Sequence, residues 1–249
     1  MTPTSELLYR RVVIKLSGEA LSGRQEGGID PQTLKATAED LKAVHETGIQ
    51  VGIVVGGGNI FRGLKGASQG MDRAQSDYMG MLATVINSLA LQDALERVGV
   101  PTRVMNALDI QQVAEPYIKR KADHHLNNGN IIVCAAGTGN PYFSTDTAAA
   151  LRAMELHCDA LLKATKVDGI YDRDPTAHED AKLYRHMTYD RFLREHIKVM
   201  DSTAVTLCRE NGMHIRVFKM EPGSIRRVCL GEDAGTTISA EEIPRSRPA

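Results

Sequence analysis

The alternation of short apolar runs with helical segments is the feature that most constrains the fold of this chain. The longest helical pattern spans 72–98, and a shorter one begins at Asp30-Pro31, where aspartate can cap a helix and proline can occupy its first turn. Such alternation predicts an α/β fold, a three-layer αβα sandwich around a mostly parallel sheet. The strand-like runs cover 11–17, 49–55, 101–105, 131–136, 159–165 and 214–219.

Nothing in the sequence indicates a boundary between domains. No internal repeat, low-complexity tract or linker divides the sequence, and a hydrophobic fraction of 42% is enough to build a sizeable core. We therefore predict a single domain over residues 1–249. Its polar end, about 241–249, is predicted to be disordered.

Charge and cysteine usage exclude several classes of function. The 30 basic and 31 acidic residues give a net charge of −1, so no domain-wide positive field would attract nucleic acid or a membrane surface. The four cysteines are far apart and show no zinc-binding spacing, which predicts no metal site of the protein's own. Because neither a signal core nor a run of transmembrane length occurs, we expect a reducing, cytoplasmic location.

Three glycine-containing turns follow strand-like runs: Ser17-Gly18, Gly56-Gly57-Gly58 and Gly137-Thr138-Gly139. Glycine lets backbone N–H groups approach a phosphate closely, although one such turn alone is often only a tight turn. Three turns at strand ends favour phosphate binding. Neither the Walker A pattern nor the dinucleotide fingerprint occurs, which disfavours P-loop enzymes and dehydrogenases.

Two basic residues accompany these turns. Lys15 lies inside the apolar run that precedes Ser17-Gly18, and it is either a solvated lysine on an edge strand or a buried cation with an anionic partner. The surrounding apolar residues favour the buried alternative, with phosphate as the partner. Arg62 follows the glycine triplet and has the planar fork that suits phosphate oxygens, though alone it is typical of a surface arginine.

Six segments carry more specific motifs. They read KLSGEAL at 15–21, GGGNIFRG at 56–63, DYMGMLATVIN at 77–87, GTGNPYFSTD at 137–146, KATKVDGIYDRDP at 163–175 and KVMD at 198–201. In this order and spacing they resemble the bacterial UMP kinases, which belong to the amino-acid kinase superfamily. The resemblance covers nearly the whole chain and implies the amino-acid kinase fold. It also implies transfer of the γ-phosphoryl group of ATP to UMP, in pyrimidine nucleotide biosynthesis.

The resemblance also implies roles for particular residues. Those implied to be catalytic are Lys15, Arg62, Asp146 and Asp201, with the two aspartates orienting the basic groups. Those implied to bind ATP are Lys15, Leu16, Ser17, Gly18, Gly58, Arg62, Thr165, Tyr171 and Asp174. Those implied to bind UMP are Gly57, Asp77, Thr138, Gly139, Asn140, Pro141, Tyr142, Phe143, Ser144 and Thr145.

The same resemblance implies Mg²⁺ carried by ATP, no organic cofactor, activation by GTP, inhibition by UTP and assembly into a homohexamer. A loop at 23–28 corresponds to the one implicated in the GTP response. Lys219 stands where the family has asparagine, and we expect no effect on catalysis. The apolar stretch 79–94 is either a subunit interface or a helix central to one core.

The residues suit phosphoryl transfer between phosphates, which needs positioning and charge stabilisation more than a general base. Asp77 could accept hydrogen bonds from both hydroxyls of a ribose, although without the resemblance it reads as a carboxylate on a helix surface. Asp146 could be no more than a favourable partner of a helix dipole. Two rival functions stay open: a related kinase with a carboxylate or carbamate acceptor, and a non-catalytic nucleotide-binding regulator.

Overall fold

A nine-stranded sheet runs through the protein in the computed structural model, which describes residues 8–23, 25–68, 70–175 and 177–241. Nine strands form this sheet, and β7 and β8 pair separately as an antiparallel ribbon. The strands are β1 (Arg11–Leu16), β2 (Gln50–Val55), β3 (Thr102–Asn106), β4 (Glu115–Pro116), β5 (Ile131–Ala135), β6 (Ala160–Thr165), β7 (Ile170–Tyr171), β8 (Leu183–Tyr184), β9 (His186–Thr188), β10 (His214–Lys219) and β11 (Thr236–Ser239).

The strand order in the sheet is β4-β3-β5-β2-β1-β6-β10-β11-β9. Neighbouring strands are parallel except β10 and β11, which are antiparallel. The predicted mostly parallel sheet is therefore confirmed. β1 is the central strand of this sheet. It lies between β2 and β6, and both of its faces are covered.

Helices cover both faces of the sheet. They are α1 (Pro31–His45), α2 (Gly63–Ser68), α3 (Arg73–Arg97), α4 (Lys119–Asn127), α5 (Thr145–Glu155), α6 (Tyr189–Arg194), α7 (Ser202–Glu210) and α8 (Ser224–Cys229). Side chains of α1, α3 and α8 pack into one core, and side chains of α4, α5, α6 and α7 pack into the other. The predicted three-layer sandwich is confirmed.

The alternation of β1 shows how one strand serves both layers. Val12, Ile14 and Leu16 pack into the core shared with α1 and α3, and Val13 packs into the core shared with α5. Lys15 is on the same side of the strand as Val13, since side chains alternate along a strand. It therefore points toward the α5 layer.

Aspartate side chains cap the N-terminal ends of the two longest helices, and Asp30 is the cap that the sequence predicted. The Asp30 side chain accepts a hydrogen bond of 2.9 Å from the backbone N–H of Thr33, and proline occupies the first turn of α1. Asp72 caps α3 in the same way, accepting from the N–H of Gln75 at 2.9 Å.

Two predictions about the chain as a whole are not tested by these residues. The tail predicted to be disordered, 241–249, lies outside the described residues except for Glu241. The assignment of 1–249 to one domain stays a prediction.

Candidate active site

The three glycine turns converge at the carboxyl ends of the central parallel strands. They follow β1, β2 and β5, which are neighbouring parallel strands, and β6 ends on the same side of the sheet, next to β1. The carboxyl ends of parallel strands are where open α/β sheets bind their ligands. The geometry brings together Ser17-Gly18, Gly56-Gly57-Gly58 and Gly137-Thr138-Gly139, as the sequence predicted.

Two lysines lie side by side near these carboxyl ends, beneath α5. Lys15 of β1 is the register partner of Lys163 of β6, so both side chains project from the same face of the sheet. Their side chains are 12% and 7% exposed. The edge-strand alternative for Lys15 is wrong, because β1 lies inside the sheet.

The anionic partner of both lysines is Asp146, in the first turn of α5. Its Oδ1 lies 2.9 Å from Lys15 Nζ, and its Oδ2 accepts a hydrogen bond from Lys163 Nζ. Burial would raise the pKa of Asp146, but the charges of Lys15 and Lys163 outweigh it and hold this pKa below its ordinary value. Burial also lowers the pKa of Lys163, although Asp146 opposes that shift.

Asp201 lies at the start of α7 and joins α7 to the start of α5. It accepts a hydrogen bond of 2.8 Å from the N–H of Ala204 and bonds of 3.1 and 3.2 Å from Thr147 Oγ1. It also accepts a hydrogen bond from Ser144 Oγ, the residue that caps α5. Asp201 therefore positions the helix that carries Asp146. It forms no ion pair with Lys15 itself.

A cavity of about 580 Å³ opens between the glycine turns and α3, and we call it the glycine-loop cavity. Two predicted UMP-binding residues, Gly139 and Pro141, do not line it. Those predicted UMP-binding residues that do line it are Gly57, Asp77, Thr138, Asn140, Tyr142, Phe143, Ser144 and Thr145. Gly58 and Arg62 are also in its wall.

Asp77 is the carboxylate of the glycine-loop cavity. Its Oδ2 accepts hydrogen bonds of 2.8 Å from Arg73 Nε and from the backbone N–H of Tyr142. Tyr142 has a φ of 71°, a conformation unusual for a residue with a Cβ. Oδ1 lies beside Gly63, where an added Cβ would approach it to 2.7 Å. Asp77 therefore holds the 138–145 loop and is not simply a helix-surface carboxylate.

Packing constrains the turn that carries the glycine triplet. A Cβ on Gly57 would lie 2.7 Å from the Gly80 carbonyl oxygen of α3, whereas a Cβ on Gly58 would have no neighbour closer than 3.7 Å. Two buried asparagines anchor this turn: Asn59 and Asn87 exchange hydrogen bonds of 3.0 and 2.7 Å. Asn87 also donates to the Gly56 carbonyl oxygen at 2.7 Å.

A second cavity, of about 380 Å³, lies at the ends of β1, β6 and β10, and we call it the strand-end cavity. Of the predicted ATP-binding residues, Ser17 and Thr165 line it. Tyr171 and Asp174 do not. They lie on the segment after β6, where the Tyr171 hydroxyl donates to Asp168 Oδ2 at 2.9 Å.

Other predicted ATP-binding residues hold the backbone at the strand ends. Leu16 is fully buried in the core. Gly18 allows close packing, because an added Cβ would lie 2.4 Å from the Gly56 carbonyl oxygen. Lys219 ends β10 as the register partner of Thr165, and its Nζ lies 3.6 Å from Asp168 Oδ1. The asparagine expected at 219 is thus replaced by a cation near the strand-end cavity.

Several residues of this region were not predicted from the sequence. Those that lie within the quoted motifs include Lys163, Glu19, Asn87 and Lys166. Lys163 could have been found by the argument applied to Lys15, since it is also a lysine inside an apolar strand.

Within the part of the chain that the structure describes, no helix combines the length and apolarity needed to cross a bilayer.

The fold agrees with comparisons with known proteins. The family model described as the amino acid kinase family matches residues 10–219. This chain belongs to the amino acid kinase family. Solved structures of UMP kinases are similar to it over most of its length, so the resemblance predicted from the sequence motifs is confirmed.

Three solved structures illustrate this similarity. The UMP kinase of Bacillus anthracis is 42% identical, with a TM-score of 0.90 over 94% of this chain and 97% of that chain. The UMP kinase of Ureaplasma parvum is 36% identical, with a TM-score of 0.87 over 92% and 98%. The uridylate kinase of Archaeoglobus fulgidus is 26% identical, with a TM-score of 0.72 over 92% and 99%.

Proposed function

We propose that this protein is a UMP kinase, which transfers the γ-phosphoryl group of ATP to the phosphate of UMP and forms UDP and ADP in pyrimidine nucleotide biosynthesis. The observation that carries the proposal is the pair of buried lysines, Lys15 and Lys163, held by Asp146 where the glycine turns meet. The 42% identity to a UMP kinase over 97% of that chain supports UMP as the acceptor.

Two cations around one carboxylate suit phosphoryl transfer. Together the three side chains carry a net positive charge, and they are preorganised, so little reorganisation is needed when charge develops on the transferring group. Asp146 sets the positions of both ammonium groups. Arg62, at the mouth of the glycine-loop cavity, supplies a further cation.

The transfer needs no general base. A phosphate oxygen of UMP forms the new bond to the γ-phosphorus, and the bond from that phosphorus to the bridging oxygen of ADP breaks. The acceptor phosphate is already anionic at neutral pH, because its second pKa is about 6. The chain therefore has to align two phosphates and neutralise their repulsion.

Magnesium enters this account as part of the substrate, bound to the phosphates of ATP, where it adds positive charge. Asp146 and Asp201 are already engaged by the chain's own lysines, hydroxyls and backbone N–H groups. These residues suit a cation held mainly through phosphate oxygens. No organic cofactor is part of the proposal.

We place UMP in the glycine-loop cavity and the donor nucleotide in the strand-end cavity. Volumes of about 580 and 380 Å³ are within the range of small-molecule sites. Asp77 would read the ribose of UMP, with the 138–145 loop closing over the base. Thr165 would contact the donor, and Tyr171 and Asp174 would reach it only through movement of their segment.

Assembly and regulation belong to the same proposal. An apolar stripe on α3 supports a homo-oligomer, with a hexamer expected from the resemblance. Its side chains are between 38% and 50% exposed and belong to Tyr78, Met79, Leu82 and Ile86.

Activation by GTP and inhibition by UTP are also proposed on the resemblance. The loop at 23–28, implicated in the GTP response, is described except for Arg24. Four buried free cysteines support a cytoplasmic location.

A substrate panel tests the proposed function. We expect ATP-dependent formation of ADP with UMP, less with CMP and dUMP, and none with acetylglutamate or carbamate. Turnover of acetylglutamate or carbamate instead of UMP would favour a related kinase with another acceptor. Nucleotide binding without ADP formation from any acceptor would favour a regulatory protein.

A further inference from the structure

Glu19 lies between the two cavities of the site. Among the described residues it alone lines both the glycine-loop cavity and the strand-end cavity. It belongs to a 3-10 turn, Gly18–Leu21, that follows β1 directly. A molecule that reaches from one cavity into the other has to pass this side chain.

Both carboxylate oxygens of Glu19 are held by cations. Oε1 forms an ion pair with Arg62 Nη2, and Oε2 lies 2.7 Å from Lys166 Nζ. The Arg62 and Lys166 side chains are 56% and 73% exposed, whereas Glu19 is 29% exposed. Ion pairs as exposed as these contribute little to folding stability, so the fold gives no strong reason for the arrangement.

The arrangement has the charges that a polyphosphate would need, with a carboxylate in the place of the phosphate. If the donor occupies the strand-end cavity and the acceptor the glycine-loop cavity, the phosphates of the donor pass Glu19 on the way from one cavity to the other. An ionised carboxylate there repels these phosphates and also occupies the cations that would bind them.

We propose that Glu19 stands in for the phosphate chain of ATP in the free protein and is displaced when ATP binds. Arg62 and Lys166 then pass from the carboxylate to phosphate oxygens, which makes Lys166 a phosphate-binding residue. Glu19 is a positioning residue that keeps both flexible cations at the crossing point. The inference rests on the proposed function, because it takes ATP as the donor.

A different role for Glu19 makes the opposite prediction. A carboxylate beside a triphosphate can be a ligand of the Mg²⁺ that the nucleotide carries. Its removal would then weaken binding of the magnesium complex. Displacement predicts tighter binding, because the competing anion is gone while the cations stay.

The test is the Kd for MgATP, MgADP and adenosine, measured by calorimetry without UMP. The proteins are the wild type, Glu19→Gln, Lys166→Met and the double variant. Displacement predicts that Glu19→Gln binds MgATP roughly three- to tenfold more tightly, with a smaller gain for MgADP and none for adenosine. It also predicts that Lys166→Met weakens MgATP binding, and weakens it more in the Glu19→Gln background.

Asp190→Asn is the matched control, since Asp190 forms an exposed ion pair with Arg209 and lines neither cavity. It removes the same charge and should leave all three Kd values unchanged. Unchanged or weaker MgATP binding by Glu19→Gln would overturn the proposal, as would an equal gain for adenosine. Because no acceptor is present, this pattern is separable from the test of UMP as substrate.

Discussion

One carboxylate, Asp146, determines whether two buried lysines can lie side by side. Without it, Lys15 and Lys163 would be like charges on neighbouring strands, largely shielded from water. Removing one partner of a buried ion pair leaves uncompensated charge. Asp146 therefore contributes to folding as well as to the proposed chemistry.

Asp146→Asn should lower the free energy of unfolding by about 3 kcal/mol at pH 7, the scale for breaking a buried ion pair. It should also change the acid dependence. The folded pKa of Asp146 is below its ordinary value of 3.8, so the unfolded chain binds more protons between these two values and the stability contributed above 3.8 is lost as pH falls.

Urea unfolding from pH 7 to below pH 3.8 measures both quantities. In the variant, the fall in stability below pH 3.8 should be shallower than in the wild type. An equal slope in both proteins would show that Asp146 is not the titrating group.

The position of Asp77 leads to a prediction about how the ribose of UMP is recognised. If it accepts hydrogen bonds from the ribose, dUMP leaves it short of one partner, at a cost of about 1–3 kcal/mol, or roughly ten- to hundredfold in kcat/KM. Asp77→Asn should weaken UMP use and shrink the preference for UMP over dUMP. The measurement is kcat/KM for both nucleotides with both proteins. An unchanged ratio in the variant would remove Asp77 from the ribose site.

At the scale of elements, the turn after β2 separates packing from ligand contact in adjacent residues. Gly57→Ala would place a Cβ 2.7 Å from a carbonyl oxygen of α3, and Gly58→Ala would meet nothing closer than 3.7 Å. We expect Gly57→Ala to lower stability by about 1–3 kcal/mol, since the helix backbone has to shift. Gly58→Ala should keep the wild-type stability and reduce nucleotide binding, because its Cβ would lie in the cavity wall at ordinary contact distance, 3.7 Å from the Arg62 side chain.

Thermal unfolding and nucleotide titrations of the two variants provide a matched comparison. Equal stability of the two variants would contradict the packing argument. Wild-type nucleotide affinity in Gly58→Ala would contradict the proposal that Gly58 lies next to a phosphate.

The sequence predicted the long elements well because they carry periodic patterns and end signals. α1 and α3 have aspartate caps, and the central strands are continuous apolar runs. Elements of two or three residues, such as β7, β8 and β9, have no measurable period and were not predicted.

The site was predictable where it follows from the chain direction of parallel strands. All three glycine turns were predicted to follow parallel strands, and the carboxyl ends of parallel strands lie on the same side of the sheet. The strand order in the structure then makes the three strands neighbours. The lysine pair beneath Asp146 depends on the register between β1 and β6, and the contacts of Glu19 depend on three separate segments. No local pattern encodes such pairings, so the sequence alone did not reveal them.

For the whole molecule, the apolar stripe on α3 is the surface on which the proposed assembly can be tested. Ile86 and Leu82 are 50% and 46% exposed on the same helix. If this stripe is the subunit interface, Ile86→Arg should reduce the oligomer to smaller species, because it would bury an unpaired charge. Light scattering at micromolar concentration measures the mass, with Leu230→Arg, at a residue that is 36% exposed at the end of α8, as the control.

A wild-type mass of 27.2 kDa, that of one chain, would reject the assembly. An unchanged oligomer in Ile86→Arg would place the interface elsewhere.

In the proposed function, Lys15 and Lys163 together stabilise the phosphoryl group as it passes from ATP to UMP. This role is tested by single-turnover transfer from γ-labelled ATP to UMP, in the wild type, Lys15→Met and Lys163→Met, alongside the Kd for UMP. We expect each variant to transfer about 10²–10³-fold more slowly while UMP binding is largely retained. Transfer by either variant within a factor of a few of the wild-type rate would contradict it.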